Sequence, residues 1–290
     1  MKNVEKNSFG AWWLAIRPKT LTGAAVPVVI ALSAAFRDSG SFIWIPALLC
    51  LLFALFMQAD ANLVNDYFDC VDGLDTEERQ GPERATSQGW VSLKAMRRAI
   101  VAVTLLSCMI GLPLILWGGY EMIWVGMACV AFCFLYTLFF SRRAFGDVLV
   151  LLFFGLVPVC ATYYIQTNAL TKELVMLSLA CGMATDCMLV VNNYRDRETD
   201  IKVGKQTLAT LMGAVPTRAL FFLLGVAAVA LSIPALESRW PWMGFYLAFH
   251  LYNTFLIYTL PEGSELNKLL EKTALSILCF GINVSVLLLI

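Results

Sequence analysis

Residues 62–75 read NLVNDYFDCVDGLD, and they close a long apolar run. Asp66, Asp69, Asp72 and Asp75 fall within ten residues of a chain that is 59% hydrophobic, only 14% charged and has a mean hydropathy of +0.73. A soluble domain carries about 25% charged residues. Apolar runs near the ~20 residues needed to cross about 30 Å of hydrocarbon as helix recur along the chain, so it reads as a polytopic membrane protein. Nine spans are expected, near 20–37, 43–65, 99–117, 121–140, 147–165, 173–194, 219–236, 241–260 and 273–290. The acidic stretch then sits where the second span meets water.

The Lys and Arg residues sort by loop. Of 21, all but Arg37, Lys172 and Arg239 lie at the N-terminus or in the loops after spans two, four, six and eight. Cytoplasmic loops carry the excess of these residues, which places the N-terminus inside and the C-terminus outside. Arg17 and Lys19 interrupt the first apolar run, and no cleavable signal peptide is expected. The nine cysteines are scattered with no CxxC pair and read as small apolar residues, not as a disulfide framework or zinc site. Nothing in the sequence points to nucleic acid.

NDYFD at 65–69 aligns with NNYRD at 192–196, each after an apolar span leaving the membrane on the same side. This suggests a parallel repeat: two four-helix halves, with a ninth helix added, forming a single domain over 1–290. On a helix, Asn62, Asn65, Asp66 and Asp69 share one sector, and Asn192, Asp196 and Asp200 form a second stripe if the helix runs that far. Carboxylates brought together repel by about 1 kcal/mol at 4 Å in water and about 4 at an effective dielectric of 20, so the ladders call for cations. Magnesium, held by one or two carboxylates together with substrate phosphates, suits such a site. Arg84 in GPERAT and Lys205 in DIKVGKQT stand beside the clusters, where a diphosphate would need donors. Arg17, Lys19, Arg142 and Arg143 are further bases on the same side, most simply explained by orientation in the membrane.

With these motifs read, RPKTL (17–21), NDYFD (65–69), GPERATSQG (81–89), LLFFGLVPVCATYYIQ (151–166) and LVVNNYRDRETDIKVGKQTLA (189–209) together resemble the UbiA-type intramembrane prenyltransferases over about residues 10–290. Within that superfamily the pattern is most similar to the 1,4-dihydroxy-2-naphthoate polyprenyltransferase branch of menaquinone synthesis. The resemblance implies a nine-helix bundle in the bacterial inner membrane, around a central cavity open to lipid, with its active site near the cytoplasmic face. It implies that Asp66, Asp69, Asp75, Asp196 and Asp200, supported by Asn62, Asn65 and Asn192, hold Mg²⁺ on a polyprenyl diphosphate. Arg84 and Lys205, then Arg17 and Arg142, would contact the diphosphate. An aromatic ring would attack the allylic carbon and, in this branch, lose its carboxylate as CO₂. Phe153, Phe154, Tyr163 and Tyr164 are aromatic candidates for facing the carbocation, although packing alone would explain them.

Asp72 is extra to the family pattern. Asp60 and Asp186, both inside spans, replace small or apolar residues; they are expected either to be neutral and hydrogen-bonded or to handle the acceptor's hydroxyls or a proton. His250 reads as a packing residue. TLFFSRRAFGD also departs from the family's loop after span four, leaving 4-hydroxybenzoate, homogentisate, haem and chlorophyll types of prenylation open. From another class, an ion-coupled transporter would share the intramembrane acids and the repeat, but it should place its charges near the bilayer midplane.

Overall fold

The computed structural model describes residues 4–41, 43–73, 80–140 and 143–290. Among them there is no strand. Hydrocarbon offers no partner to a backbone amide, so an apolar span satisfies its own hydrogen bonds as helix. The helices are α1 (Phe9–Ile16), α2 (Pro18–Ser39), α3 (Trp44–Val71), α4 (Leu93–Gly118), α5 (Glu121–Phe140), α6 (Gly146–Thr167), α7 (Lys172–Arg195), α8 (Arg197–Lys202), α9 (Leu208–Met212), α10 (Ala214–Leu236), α11 (Gly244–Thr259) and α12 (Asn267–Leu289).

Eight helical stretches among the described residues are long and apolar enough to cross a membrane, one of them the 46-residue run Ala214–Thr259. At 1.5 Å per residue that run is about twice the thickness of the hydrocarbon core. It comprises α10, a 3₁₀ segment Glu237–Met243 and α11. The break falls at Glu237, whose φ of 51° is foreign to a helix, with Pro234 and Pro241 on either side.

Burial orders the bundle. α7 is central and packs on α6, α10 and α12, while α2 packs on α3, α6 and α12. α4 and α5 lie outside and show Leu105, Met109, Leu116, Trp124 and Met127 to the surroundings. In water such a face would be a liability; against lipid it is the expected exterior. Where α6 meets α7, both helices use glycine. A Cβ on Gly155 would stand 2.5 Å from the Ser178 carbonyl oxygen and 2.9 Å from the Gly182 backbone. Small residues at this contact let the two backbones touch. The same stretch, Leu152–Leu156, forms a π-helical turn, and a second one, Tyr136–Phe140, ends α5.

Candidate active site

α3 carries the first acidic segment past the end of its apolar run. Helical spacing turns Asn62 and Asp66 inward, and both are buried. Asn62 donates to the Ile16 carbonyl at 2.7 Å and to Thr20 Oγ1 at 2.8 Å. It thereby pins the α1–α2 elbow, whose corner residue Arg17 takes a left-handed φ of 54°. Asn65 accepts from Thr137 Oγ1 on α5.

Asp66, only 1% exposed, receives the loop that returns toward α4. Its Oδ2 accepts from Ala85 N and its Oδ1 from Thr86 N, each at 3.0 Å, and Thr86 Oγ1 donates to Oδ1 as well. One turn on, Asp69 pairs with Arg84 of that loop at 2.5 Å. A carboxylate accepting main-chain N–H bonds is fixed at both oxygens, so Asp66 organises the very loop that brings Arg84 to Asp69.

α7 ends at Arg195 with Asn192 in its last turn, and α8 begins at Arg197. Asp196 N bonds to the Asn192 carbonyl at 3.2 Å and Asp200 N to the Asp196 carbonyl at 2.8 Å, so the expected stripe of three survives the break between the helices. Arg195 grips Asp196 through two bonds, Nε to Oδ1 at 2.8 Å and Nη2 to Oδ2 at 2.6 Å. Gly204, with φ of 71°, turns the chain so that Lys205 returns to Asp200 at 3.0 Å. Burial pushes the Asp200 carboxyl above its ordinary range, while the charge and hydrogen bond of Lys205 oppose that shift.

Beside the part of α3 that precedes Asn62 lies an apolar cavity of about 550 Å³ between α2, α3, α4, α5 and α6. Met57, Ala61, Phe132, Phe153 and Phe154 are among its walls, and Phe132 and Phe153 stack with centroids 3.9 Å apart. Gln58, also in the wall, donates to Asn62 at 3.4 Å, one helical turn before Asp66. An oily chamber thus leads along α3 to a polar mouth, an arrangement suited to a ligand with an apolar tail and an anionic head.

The other predicted residues scatter. Asp60 is fully buried and accepts from Thr104 at 2.6 Å; Asp186 is 2% exposed; one oxygen of each has no hydrogen-bond partner among the described residues. His250 packs between Phe221 and Tyr246 near Gly225, as a packing residue should. Tyr163 does not face the cavity, because its hydroxyl donates to Asp38 at 2.7 Å at the opposite end of α2. Asp75 and Arg142 lie outside the described residues. Among those described, no three His, Cys, Asp or Glu side chains converge as a metal cage. Sequence reading missed Thr86, Thr137 and Arg195. The signal for Arg195 was its place directly before Asp196, in a side chain that could otherwise be taken for ordinary cytoplasmic charge.

This geometry defines a membrane-embedded helical protein with a paired-charge mouth over an oily chamber. The chain belongs to the UbiA prenyltransferase family, whose profile matches residues 24–276. It is 32% identical over 301 residues to a 1,4-dihydroxy-2-naphthoate octaprenyltransferase of Haemophilus influenzae, covering 96% of each chain. It is 33% identical over 285 residues to the enzyme of that name from Mycobacterium tuberculosis, again with 96% of each covered. Its fold is shared with a UbiA homolog from Archaeoglobus fulgidus bound to GPP and Mg²⁺, at TM-score 0.67 and 16% identity over 97% of this chain and 100% of that one.

Proposed function

We propose that the chain transfers a polyprenyl group from a polyprenyl diphosphate to 1,4-dihydroxy-2-naphthoate, releasing diphosphate and CO₂, in menaquinone synthesis. The observation that carries this reading is the likeness over 96% of the chain to enzymes of that name. The site supports it: two acidic helix ends each carry a base, and the first follows on α3 from the wall of a chamber of about 550 Å³. That the long polar loops carry most of the Lys and Arg supports an N-terminus and a mouth at the cytoplasmic face of a bacterial inner membrane. Taking Ala214–Thr259 as two crossings gives nine spans among the described residues and a C-terminus outside.

The donor set fits magnesium. Asp66, Asp69, Asp196 and Asp200 offer hard oxygens, the last three now held in part-buried ion pairs with Arg84, Arg195 and Lys205. Magnesium needs only one or two carboxylates when phosphates complete its shell, so a three-acid cage is not required. Asp69, Asp196 and Asp200, with Asp66 and Asp75, would hold Mg²⁺, which when bound neutralises charge developing on the departing diphosphate. Arg84 and Lys205 supply hydrogen bonds to the same oxygens as the bond to the allylic carbon breaks. The chamber holds the isoprenoid tail and keeps water from the cation. Phe132, Phe153 and Phe154 give that space an aromatic wall. The acceptor ring carbon then forms the new bond, and the electron pair of its carboxylate bond returns to the ring as CO₂ leaves.

The test is turnover by purified protein in detergent with Mg²⁺, a long-chain polyprenyl diphosphate and 1,4-dihydroxy-2-naphthoate, followed by product mass. A decarboxylated prenyl-naphthoquinol, lost in EDTA and restored by Mg²⁺, is the expected result. Conversion of 4-hydroxybenzoate or homogentisate alone would move the protein to another acceptor. Accumulation of a solute in sealed vesicles with the diphosphate intact would show a transporter.

A further inference from the structure

The two acidic segments belong to different parts of the chain, yet one half-buried side chain stands between them. Asn267, the first residue of α12, donates from Nδ2 to the Gln80 carbonyl at 2.9 Å and accepts at Oδ1 from Arg195 Nη1 at 3.0 Å. On one side, Gln80 opens the loop whose next residues set Arg84 on Asp69 and Ala85 and Thr86 on Asp66. On the other, Arg195 is 4% exposed and spends Nε and Nη2 on Asp196. The turn before α12 adds a second hold, Ser264 N to Gln80 Oε1 at 3.1 Å. Gly263 makes that turn with φ of 98°.

A side-chain amide carries its donor and its acceptor on two separate atoms, so it can satisfy a carbonyl and a guanidinium at once. Aspartate would keep the guanidinium and repel the carbonyl, and leucine would serve neither. We propose that Asn267 is a positioning residue of the anionic-head site, tying the Gln80–Thr86 loop to Arg195–Asp196 so that the two acidic segments hold a fixed separation. It touches neither the reacting atoms nor the head group; it acts through Arg84 and Arg195. The role at a prenyl diphosphate rests on the function proposed above, but the tie itself does not.

Two measurements on full-length protein test it. In hydrogen–deuterium exchange without ligand, Asn267→Asp and Asn267→Leu should each speed exchange of amides 83–86 by about tenfold, near the net worth of one hydrogen bond. Exchange in α10 and α11 should stay at the wild-type rate. In turnover with Mg²⁺ and geranylgeranyl diphosphate, the same variants should raise the half-saturating diphosphate concentration about tenfold while kcat stays within about threefold. Unchanged exchange at 83–86 in Asn267→Asp overturns the tie. So does faster exchange spread equally through α10 and α11, which marks general loosening. A kcat loss with unchanged half-saturation overturns the positioning role. If wild-type protein neither turns over nor binds the diphosphate, the prenyl-transfer reading fails, and the exchange arm still decides the tie.

Discussion

Replacing Asp66 by asparagine is the obvious way to remove a metal ligand, but the structure predicts a second effect that must be separated from the first. Each Asp66 oxygen accepts a main-chain N–H, from Ala85 and Thr86, at 3.0 Å. An amide has one acceptor oxygen, so whichever way the substituted side chain turns, its NH₂ faces one of those donors. One hydrogen bond to a charged acceptor is lost, worth about 1.5–3 kcal/mol, and a buried N–H is left unpaired, with a penalty of about 1–3. Relaxation of the loop recovers part of this, leaving roughly 2–3 kcal/mol, or about 30- to 150-fold faster opening of residues 84–86. Exchange of the Ala85 and Thr86 amides, measured by mass spectrometry without metal or substrate, reads that number directly. Thr86→Val gives the comparison: it removes only the hydroxyl donor to Asp66 and should accelerate exchange less, by about tenfold. Wild-type protection of these amides in Asp66→Asn would refute the anchoring role. Loss of turnover in that variant would then be a matter of ligands alone.

Other perturbations follow from the same geometry. Arg84→Lys replaces a forked, planar donor with a point charge beside Asp69, and kinetics should show the half-saturating prenyl diphosphate concentration rising about tenfold. Gly155→Ala drives a methyl to within 2.5 Å of the Ser178 carbonyl oxygen; it should destabilise the protein by about 1–3 kcal/mol, seen as a lower melting temperature in detergent. Gly126 lines the cavity and has open space where a Cβ would stand, so Gly126→Phe should fill the chamber without disturbing the helix. Competition assays should then show long-chain donors losing at least about tenfold relative to geranyl diphosphate, since overfilled apolar space excludes volume first. Equal loss for both donors would place the tail elsewhere.

The helical period makes one part of the site legible in the amino-acid order itself. Offsets of three, four and seven put Asn62, Asn65, Asp66 and Asp69 on one sector of α3, and apolar runs near 20 residues mark the spans. The ESRWP stretch likewise marks the break between α10 and α11. What the period cannot show is what each side chain meets. Asn62 meets Ile16 and Thr20, Asn65 meets Thr137, and Asp66 meets a loop about twenty residues on. These are long-range contacts, and no local pattern encodes them. Asp60 and Asp186 are visible as acids inside apolar runs, but their burial among α3–α7 side chains depends on tertiary packing. Tyr163 fails as a cavity candidate for the same reason, its partner Asp38 being set by the packing of α2 on α6.

A ladder of carboxylates suggested by spacing looks like uncompensated negative charge calling for metal. In the folded chain three of these acids already have their own bases: Asp69 with Arg84, Asp196 with Arg195 and Asp200 with Lys205. These part-buried pairs compensate the three carboxylates without any ligand. They also fix what loading the mouth must involve. On the proposed function, a metal ion would take carboxylates from their bases and a diphosphate would take the bases so freed; either alone would leave one set of charges without partners. The two ligands should therefore bind with positive cooperativity, each lowering the concentration of the other needed for half-saturation by the same factor. Titrating Mg²⁺ thermal stabilisation at rising geranyl diphosphate, and the converse, checks this. Independent binding isotherms would mean that the ion pairs stay closed on ligand binding and that metal and diphosphate are held by other oxygens and bases.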